Sequence, residues 1–253
     1  MFFDSHAHYN DEKFDFDREE LILSFKDNKV SNFVNVSDSI RSSYKCIDIA
    51  EKYDFAYCSV GVHPHEVKNM TESDLDTIKK LCEHEKVVAI GEIGLDYYYN
   101  YSPKDVQKKW FERQLILANE INMPVIIHMR DATEDTVNII RENPVPKGVL
   151  HCFSGSVETA KIALNLGYYI SFAGPLTFKN AKGILDVAKY VPDDRILIET
   201  DSPYLSPEPV RGKRNSSLHI HHIAEKLAEL RGTDVTNIAK ITSDNAKELF
   251  NIR

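Results

Sequence analysis

Short apolar runs alternate with longer amphipathic segments along this chain, and that alternation restricts the possible folds more than any other feature. The runs begin near Phe2, Asn32, Tyr57, Val87, Pro124, Gly148, Tyr168 and Ile196. Segments with helical periodicity follow them, at residues 18–28, 42–53, 73–85, 104–122, 131–142, 157–166, 181–190, 218–230 and 235–250. Eight strand–helix units predict a closed (β/α)8 TIM barrel, regular or distorted, with residues 1–253 as a single domain. A doubly wound open sheet is the alternative.

The composition fits an enzyme-sized domain rather than a charge-driven binder of nucleic acid. The chain has 253 residues, a formal net charge of −8 and 42% hydrophobic residues. A chain of this length can bury a core without disulfides, and its negative charge leaves room only for a local basic patch. The four cysteines form no CxxC pair, which favours reduced thiols over a zinc knuckle.

The amino-terminal segment does not resemble a secretory leader. It opens with MFFDSH, without the basic stretch and apolar stretch of a secretory leader. No apolar run approaches the roughly 18 residues that a membrane span needs. We therefore expect a cytoplasmic protein that does not enter a membrane, and we expect it to act as a monomer.

The first apolar run ends in two histidines, His6 and His8. Residues two apart on a strand share a face, so both imidazoles can point to one side. In a barrel, the carboxyl ends of the strands open into the active site. Taken alone, this pair is better explained as two hydrogen-bonded histidines than as metal ligands.

The same arrangement recurs at the ends of four later runs. Glu92 ends the fourth run after Val88 and Ile90, and the remaining runs in question end in His128, His151 and Asp201. A titratable side chain is costly to bury unless it is paired or metal-bound. Six such groups are enough for two divalent cations with a carboxylate as the bridge. The pattern therefore predicts a metal cluster.

Three further sets of polar residues allow more than one interpretation. After the third run, His63 favours substrate contact, whereas His65 follows a proline and is predicted to be a loop histidine. Glu199 lies two residues before Asp201, on the same side of a regular strand. This spacing leaves open whether Glu199 points inward below the site or outward. Four cations, Arg130, Arg211, Lys213 and Arg214, either capture phosphate or belong to solvated loops; the acidic chain around them favours phosphate capture.

Six motifs in order resemble the TatD family of metal-dependent deoxyribonucleases, a branch of the amidohydrolase-like barrels. They are DSHAH (4–8), GVHPH (61–65), GEIGLDY (91–97), PVIIH (124–128), HCFSG (151–155) and ETDSPY (199–204). The resemblance reaches residue 214 and implies hydrolysis of DNA, often as a 3′-to-5′ exonuclease. Where family members commonly continue with Glu-Pro, this chain has Ser216 and Ser217. Serines can cap the next helix, so we expect little effect of this difference on metal binding.

The resemblance also assigns roles residue by residue. It implies that His6 and His8 hold one metal with Asp201. It implies that Glu92 bridges to a second metal held by His128 and His151. His63 and Arg130 would meet the scissile phosphate, and the substrate would be DNA that is single-stranded or has free 3′ ends.

The resulting hypothesis is two-metal hydrolysis of a phosphodiester, with Asp201, Glu92 and His63 as the catalytic residues. Asp201 would ligate a metal and could also accept a proton from water. The two divalent ions could be Mg²⁺, Mn²⁺ or Zn²⁺, because mixed His and carboxylate ligands suit all three. The rivals are a hydrolase of an amide, lactone or ester, and a binding protein without catalysis. RNA or a small phosphodiester is left open as the true substrate.

Overall fold

The computed structural model describes residues 1–252, and its centre is one parallel eight-stranded sheet whose strands follow chain order. The strands are β1 (Phe2–Ala7), β2 (Val30–Asn35), β3 (Ala56–Val60), β4 (Val87–Asp96), β5 (Val125–Arg130), β6 (Gly148–Leu150), β7 (Tyr169–Phe172) and β8 (Ile196–Ile198). Helices alternate with them: α1 (Arg18–Leu23), α2 (Ile40–Glu51), α3 (Glu72–Leu81), α4 (Lys104–Glu120), α5 (Thr133–Glu142), α6 (Val157–Asn165), α7 (Gly183–Tyr190), α8 (Ile220–Arg231) and α9 (Val235–Leu249).

The barrel closes beyond the end of β8, where the chain returns to β1. The backbone N–H of Asp201 donates to the carbonyl of His6 (2.9 Å), and the N–H of His8 donates to the carbonyl of Ser202 (2.7 Å). Sequential strand order with this closure is the (β/α)8 barrel, so the predicted fold is confirmed and the open-sheet alternative is wrong. Across residues 1–252, no helix combines the length and the apolar character that a bilayer span requires.

The strands have one apolar layer on their outer face and another inside the barrel. The larger one packs the outer faces of the strands against the helices. The inner one contains Phe3, Val88, Ile126, Val149 and Leu197 among others, and it is closed at the amino-terminal end of the barrel by residues of α9 and by Phe250. Each fully buried side chain of this kind contributes about 1.5–3 kcal/mol. The filled floor leaves the opposite, carboxyl end of the barrel for polar groups.

The predicted helix starts agree with the structure within two residues, whereas some ends do not. The first helix was expected to reach residue 28, but α1 ends at Leu23. There the Ser24 hydroxyl donates to the carbonyl of Leu21 (2.7 Å), and a separate 3-10 turn, Lys26–Asn28, follows. Such local side-chain bonds compete with continuation of a helix.

The strand ends also differ from the prediction. The fourth run was expected to end at Glu92, but β4 continues to Asp96 because Ile93–Asp96 pair with β5. His151 and Asp201 lie after the short strands β6 and β8 rather than within them. The site is therefore built partly from strand ends and partly from the loops that follow.

Candidate functional site

Irregular strand pairing places two of the predicted site residues. The register between β4 and β5 slips between Ile90 and Ile93, and the register between β1 and β2 slips between Asp4 and Ala7. Glu92 and His6 lie within these irregularities, and both are buried in the barrel mouth. Ile90 packs in the outer layer, so the regular alternation used to place Glu92 does not hold there. A bulge commonly re-aims a side chain beside an active site.

The Glu92 carboxylate is the centre of the cluster. Its Oε1 lies 2.7 Å from His128 Nδ1, 2.8 Å from His151 Nε2 and 3.4 Å from His63 Nε2. Its Oε2 lies 3.4 Å from His6 Nε2. The two oxygens of one carboxylate thus face two different groups of imidazoles, which is the arrangement that a bridging ligand needs.

Asp201 completes the side of the cluster that contains the first two histidines. Its Oδ1 lies 3.3 Å from His8 Nε2 and 3.7 Å from His6 Nε2. Asp201 has φ 54°, in the left-handed region that a non-glycine residue rarely adopts. Such strain tends to persist at functional sites, where the surrounding structure enforces it.

Acceptors behind three of the histidines determine which ring nitrogen carries the proton. His8 Nδ1 donates to the Val36 carbonyl (2.9 Å), and His151 Nδ1 donates to Glu199 Oε1 (3.1 Å). His128 Nε2 donates to Asp96 Oδ2 (3.1 Å). When these rings are neutral, the nitrogen that faces the acceptor holds the proton, and the opposite nitrogen turns its lone pair toward the cluster. This outer support is typical of metal-ligating histidines.

The donor set fits divalent cations. His6 Nε2 and His8 Nε2 are 3.1 Å apart, and His128 Nδ1 and His151 Nε2 are 3.3 Å apart. Two nitrogens that each lie about 2.0–2.1 Å from one tetrahedral cation stand roughly 3.3–3.4 Å apart. Lone pairs at these separations repel one another unless a cation or proton lies between them. Groups whose donor atoms all lie within 4.8 Å of one another include His6–His8–Glu92 and His63–Glu92–His128.

The electrostatics of the cluster favour positive charge. Burial alone would raise the pKa of Glu92, but the charge of His151 and the hydrogen bonds from His128 and His151 hold that pKa well below its usual range. Burial alone would lower the pKa of His8, yet the hydrogen bond and charge of Asp201 raise that pKa to about 9. His63 differs, because burial lowers its pKa to about 4 despite the nearby charge of Glu92. The buried carboxylates therefore attract protons or cations, while His63 is neutral at pH 7.

An open cavity of about 830 Å³ lies above the cluster. Of the four predicted phosphate-binding cations, only Arg130 lines it. Arg214 pairs with Asp17 (2.7 Å), and the Arg211 guanidinium lies over the Phe178 ring. The expected four-cation cluster is therefore not assembled.

Two cations that sequence reasoning missed, Arg41 and Lys45 of α2, line the same cavity. The sequence does show that these two basic residues lie one helical turn apart, which would have allowed a basic patch to be predicted. The position of this patch at the cavity follows from how α2 packs beside the barrel mouth.

Three other residues have roles that the sequence left open or missed. Glu199 points inward, and its Oε1 accepts from His151 Nδ1 and from the N–H of Cys152 (2.8 Å). Asp96 was not among the predicted site residues, although it shares the parity of Glu92. His65 does lie in a loop, as predicted, but its Nε2 contacts Asp96 Oδ2 at 2.9 Å and its ring lines the cavity.

The two serines before α8 make no capping bond, although serine is able to cap a helix. Ser216 precedes a 3-10 turn and makes no side-chain capping bond. The Ser217 hydroxyl points inward and donates to Asp4 Oδ2 (2.6 Å), because that buried carboxylate needs donors. This serine supports the buried Asp4 of β1 rather than the helix.

The family profile described as "TatD related DNase" matches residues 3–251. The chain belongs to the TatD family. An uncharacterized metal-dependent hydrolase of Bacillus subtilis, YabD, is 49% identical to this TatD-family chain over the full length of both. The 3′-5′ ssDNA/RNA exonuclease TatD of Pectobacterium parmentieri is 31% identical and covers 99% of each chain.

A solved structure agrees with this assignment. The TatD homologue YjjV of Escherichia coli superposes on this TatD-family chain with a TM-score of 0.93 at 28% identity, covering 100% of this chain and 98% of the other. Membership and the site together make the chain a metal-dependent hydrolase.

Proposed function

We propose that this TatD-family hydrolase cleaves phosphodiester bonds of single-stranded DNA, removing nucleotides from the 3′ end. The observation that carries the proposal is the shared carboxylate of Glu92, which joins two groups of imidazoles beside the cationic Arg130. The Pectobacterium relative is named a 3′-5′ ssDNA/RNA exonuclease, which supports the proposed polarity and a single-stranded nucleic acid as substrate.

The proposed ligands divide into two sets that meet at Glu92. His6, His8 and Asp201 would hold one divalent cation, while His128 and His151 would hold the second. When bound, two such cations would neutralise phosphate charge and lower the pKa of water. Burial of the cluster strengthens these electrostatic effects, because the surrounding protein screens charges less than bulk water does.

His63 is proposed to bind the scissile phosphate as a neutral donor. Its Nδ1 accepts the backbone N–H of His65 (3.1 Å), so the proton of the neutral ring lies on Nε2. That nitrogen faces the cluster, 3.4 Å from Glu92 Oε1. A donor at this position can bind a phosphate oxygen without adding another positive charge.

Asp201 is proposed to accept the proton of the attacking water. Burial by itself would raise its pKa, but the hydrogen bond from His8 and the charges of nearby histidines lower that pKa, so the carboxylate is ionised. Its place at the cavity wall gives it access to the substrate.

Phosphate is favoured over a neutral amide, lactone or ester because Arg130 lines the cavity together with Arg41 and Lys45. Guanidinium groups match phosphate oxygens with paired hydrogen bonds, a geometry that a neutral amide, lactone or ester does not offer. A binding protein without catalysis is disfavoured, because each proposed ligand is in place. The cytoplasmic location, the monomeric state and the single domain stay predictions.

The test is a metal-screened assay on single-stranded DNA labelled at the 5′ end, with lactones and esters alongside. We expect a ladder that shortens from the 3′ end and releases mononucleotides, and we expect Asp201→Asn to remove most of this activity. The unsubstituted protein should bind about two divalent ions per chain. Glu92→Ala should reduce binding at both metal positions, because the bridging carboxylate would serve both. Cleavage of closed circular strands would contradict the exonuclease, and hydrolysis of lactones without cleavage of DNA would replace it with the rival.

A further inference from the structure

The loop after β4 exposes three tyrosines beside the site. Tyr98, Tyr99 and Tyr101 are 59%, 46% and 63% exposed. Tyr99 also lines the cavity. Grouped aromatic surface of this kind usually marks an interaction site, because burying it on a partner releases free energy.

These rings are held in place although they are exposed. The N–H of Tyr99 donates to Asp96 Oδ1 (2.9 Å), and the same carboxylate contacts His128. The ring of Tyr99 stacks on that of Tyr101, with centroids 5.3 Å apart and planes 17° apart. His65 packs edge-on against both rings, which ties them to the wall of the cavity.

A cation lies among the rings and completes a surface suited to nucleotides. The guanidinium carbon of Arg130 is 4.1 Å from the centroid of Tyr98 and 4.8 Å from that of Tyr99. Stacking uses the face of a guanidinium and leaves its N–H edges free for phosphate oxygens. Aromatic faces and a phosphate donor therefore stand next to each other.

We propose that Tyr98, Tyr99 and Tyr101 form a stacking platform that binds a nucleobase of a single strand while Arg130 binds the adjoining phosphate. The proposal rests on the proposed function and specifies how that site selects its substrate. Aromatic platforms next to cations bind single strands with little sequence preference, because every base has a π face. Bases within a duplex already stack on each other, so the platform selects unpaired ends.

The test measures binding separately from cleavage. Two fluorescein-labelled phosphorothioate strands of equal length, one with bases and one with abasic sugars, are titrated with metal-loaded protein and followed by fluorescence anisotropy. Phosphorothioate linkages resist hydrolysis and keep the negative charge. We expect Tyr99→Ala and Tyr101→Ala each to weaken binding of the base-containing strand about tenfold, as loss of one stacking contact implies, and to leave the abasic strand unaffected.

Conservative and distant variants separate stacking from folding. Tyr99→Phe keeps the ring and should restore binding, and Tyr190→Ala, an exposed tyrosine at the end of α7, should change nothing. Equal binding of both strands, binding of neither strand, or equal weakening on both by the alanine variants would overturn the platform. Base-dependent binding without cleavage of an ordinary strand would keep the platform and remove the exonuclease. Cleavage of an ordinary strand without base-dependent binding would keep the exonuclease and overturn the platform.

Discussion

Replacing Glu199 with glutamine should weaken the metal site without touching a proposed metal ligand. Glu199 is 1% exposed, and its Oε1 accepts from His151 Nδ1 at 3.1 Å and from the N–H of Cys152 at 2.8 Å. The amide oxygen of Glu199→Gln can occupy the same position and accept both bonds. What it lacks is the negative charge that makes the imidazole of His151 a stronger ligand.

The magnitude follows from the difference between charged and neutral acceptors. A hydrogen bond to a charged group contributes about 1.5–3 kcal/mol, and a neutral one about 0.5–1.5 kcal/mol. Loss of about 1.4 kcal/mol at His151 corresponds to roughly tenfold weaker metal binding. Glu199→Ala removes the acceptor altogether, so metal affinity should fall toward roughly a hundredfold. The alanine variant should also lose about 1–3 kcal/mol of stability for each donor left unpaired.

The assay is titration of metal-free protein with Zn²⁺ or Mn²⁺ against a chromophoric chelator, with thermal unfolding of each variant in parallel. Glu229→Gln is the matched control, because Glu229 is exposed and pairs with Lys226 of the same helix. Metal affinities within twofold of the unsubstituted protein for both the Gln and Ala variants would refute the reasoning. Glu199 would then serve only to fill the interior.

Two other substitutions test separate parts of the argument. Arg130→Ala should leave metal content intact but lower DNA cleavage roughly ten- to a hundredfold, since a charge-assisted bond contributes about 1.5–3 kcal/mol. Arg130→Ala should also flatten the dependence of DNA affinity on salt concentration. The control Arg141→Ala, at an exposed position, should change neither cleavage nor that dependence. Full activity of Arg130→Ala with an unchanged salt dependence would make Arg130 a solvated residue. Gly94 has φ +137°, and a Cβ there would lie 2.1 Å from the carbonyl oxygen of His128. Gly94→Ala should therefore lower the free energy of unfolding by at least about 1–3 kcal/mol and weaken metal binding. Gly183→Ala, whose Cβ would meet nothing within 4 Å, should be tolerated in denaturant titrations, and equal tolerance of Gly94→Ala would contradict the steric argument.

The sequence alone was enough to predict the barrel and the chemical types at its mouth. Period-two and period-3.6 patterns are local properties of the chain, because they depend only on which side of a strand or helix a residue takes. Eight repeats of one pattern leave few architectures that bury every apolar face. Parity from Ile126 to His128, and from Val149 to His151, holds in the structure because β5 and β6 pair regularly.

Tertiary structure decided what depends on contacts between distant parts of the chain. The register slips between β1 and β2 and between β4 and β5 bring His6 and Glu92 into the barrel mouth. They have no local signature in the sequence, because a register arises between two strands rather than within one. The sequence likewise could not show that Glu199 lies behind His151, 48 residues away. Tertiary structure also separates the cations predicted to bind phosphate. Arg130 lies at the cavity, whereas Arg214 pairs with Asp17. Charge pairing depends on distance in space, and spacing along the chain does not determine that distance once the barrel closes.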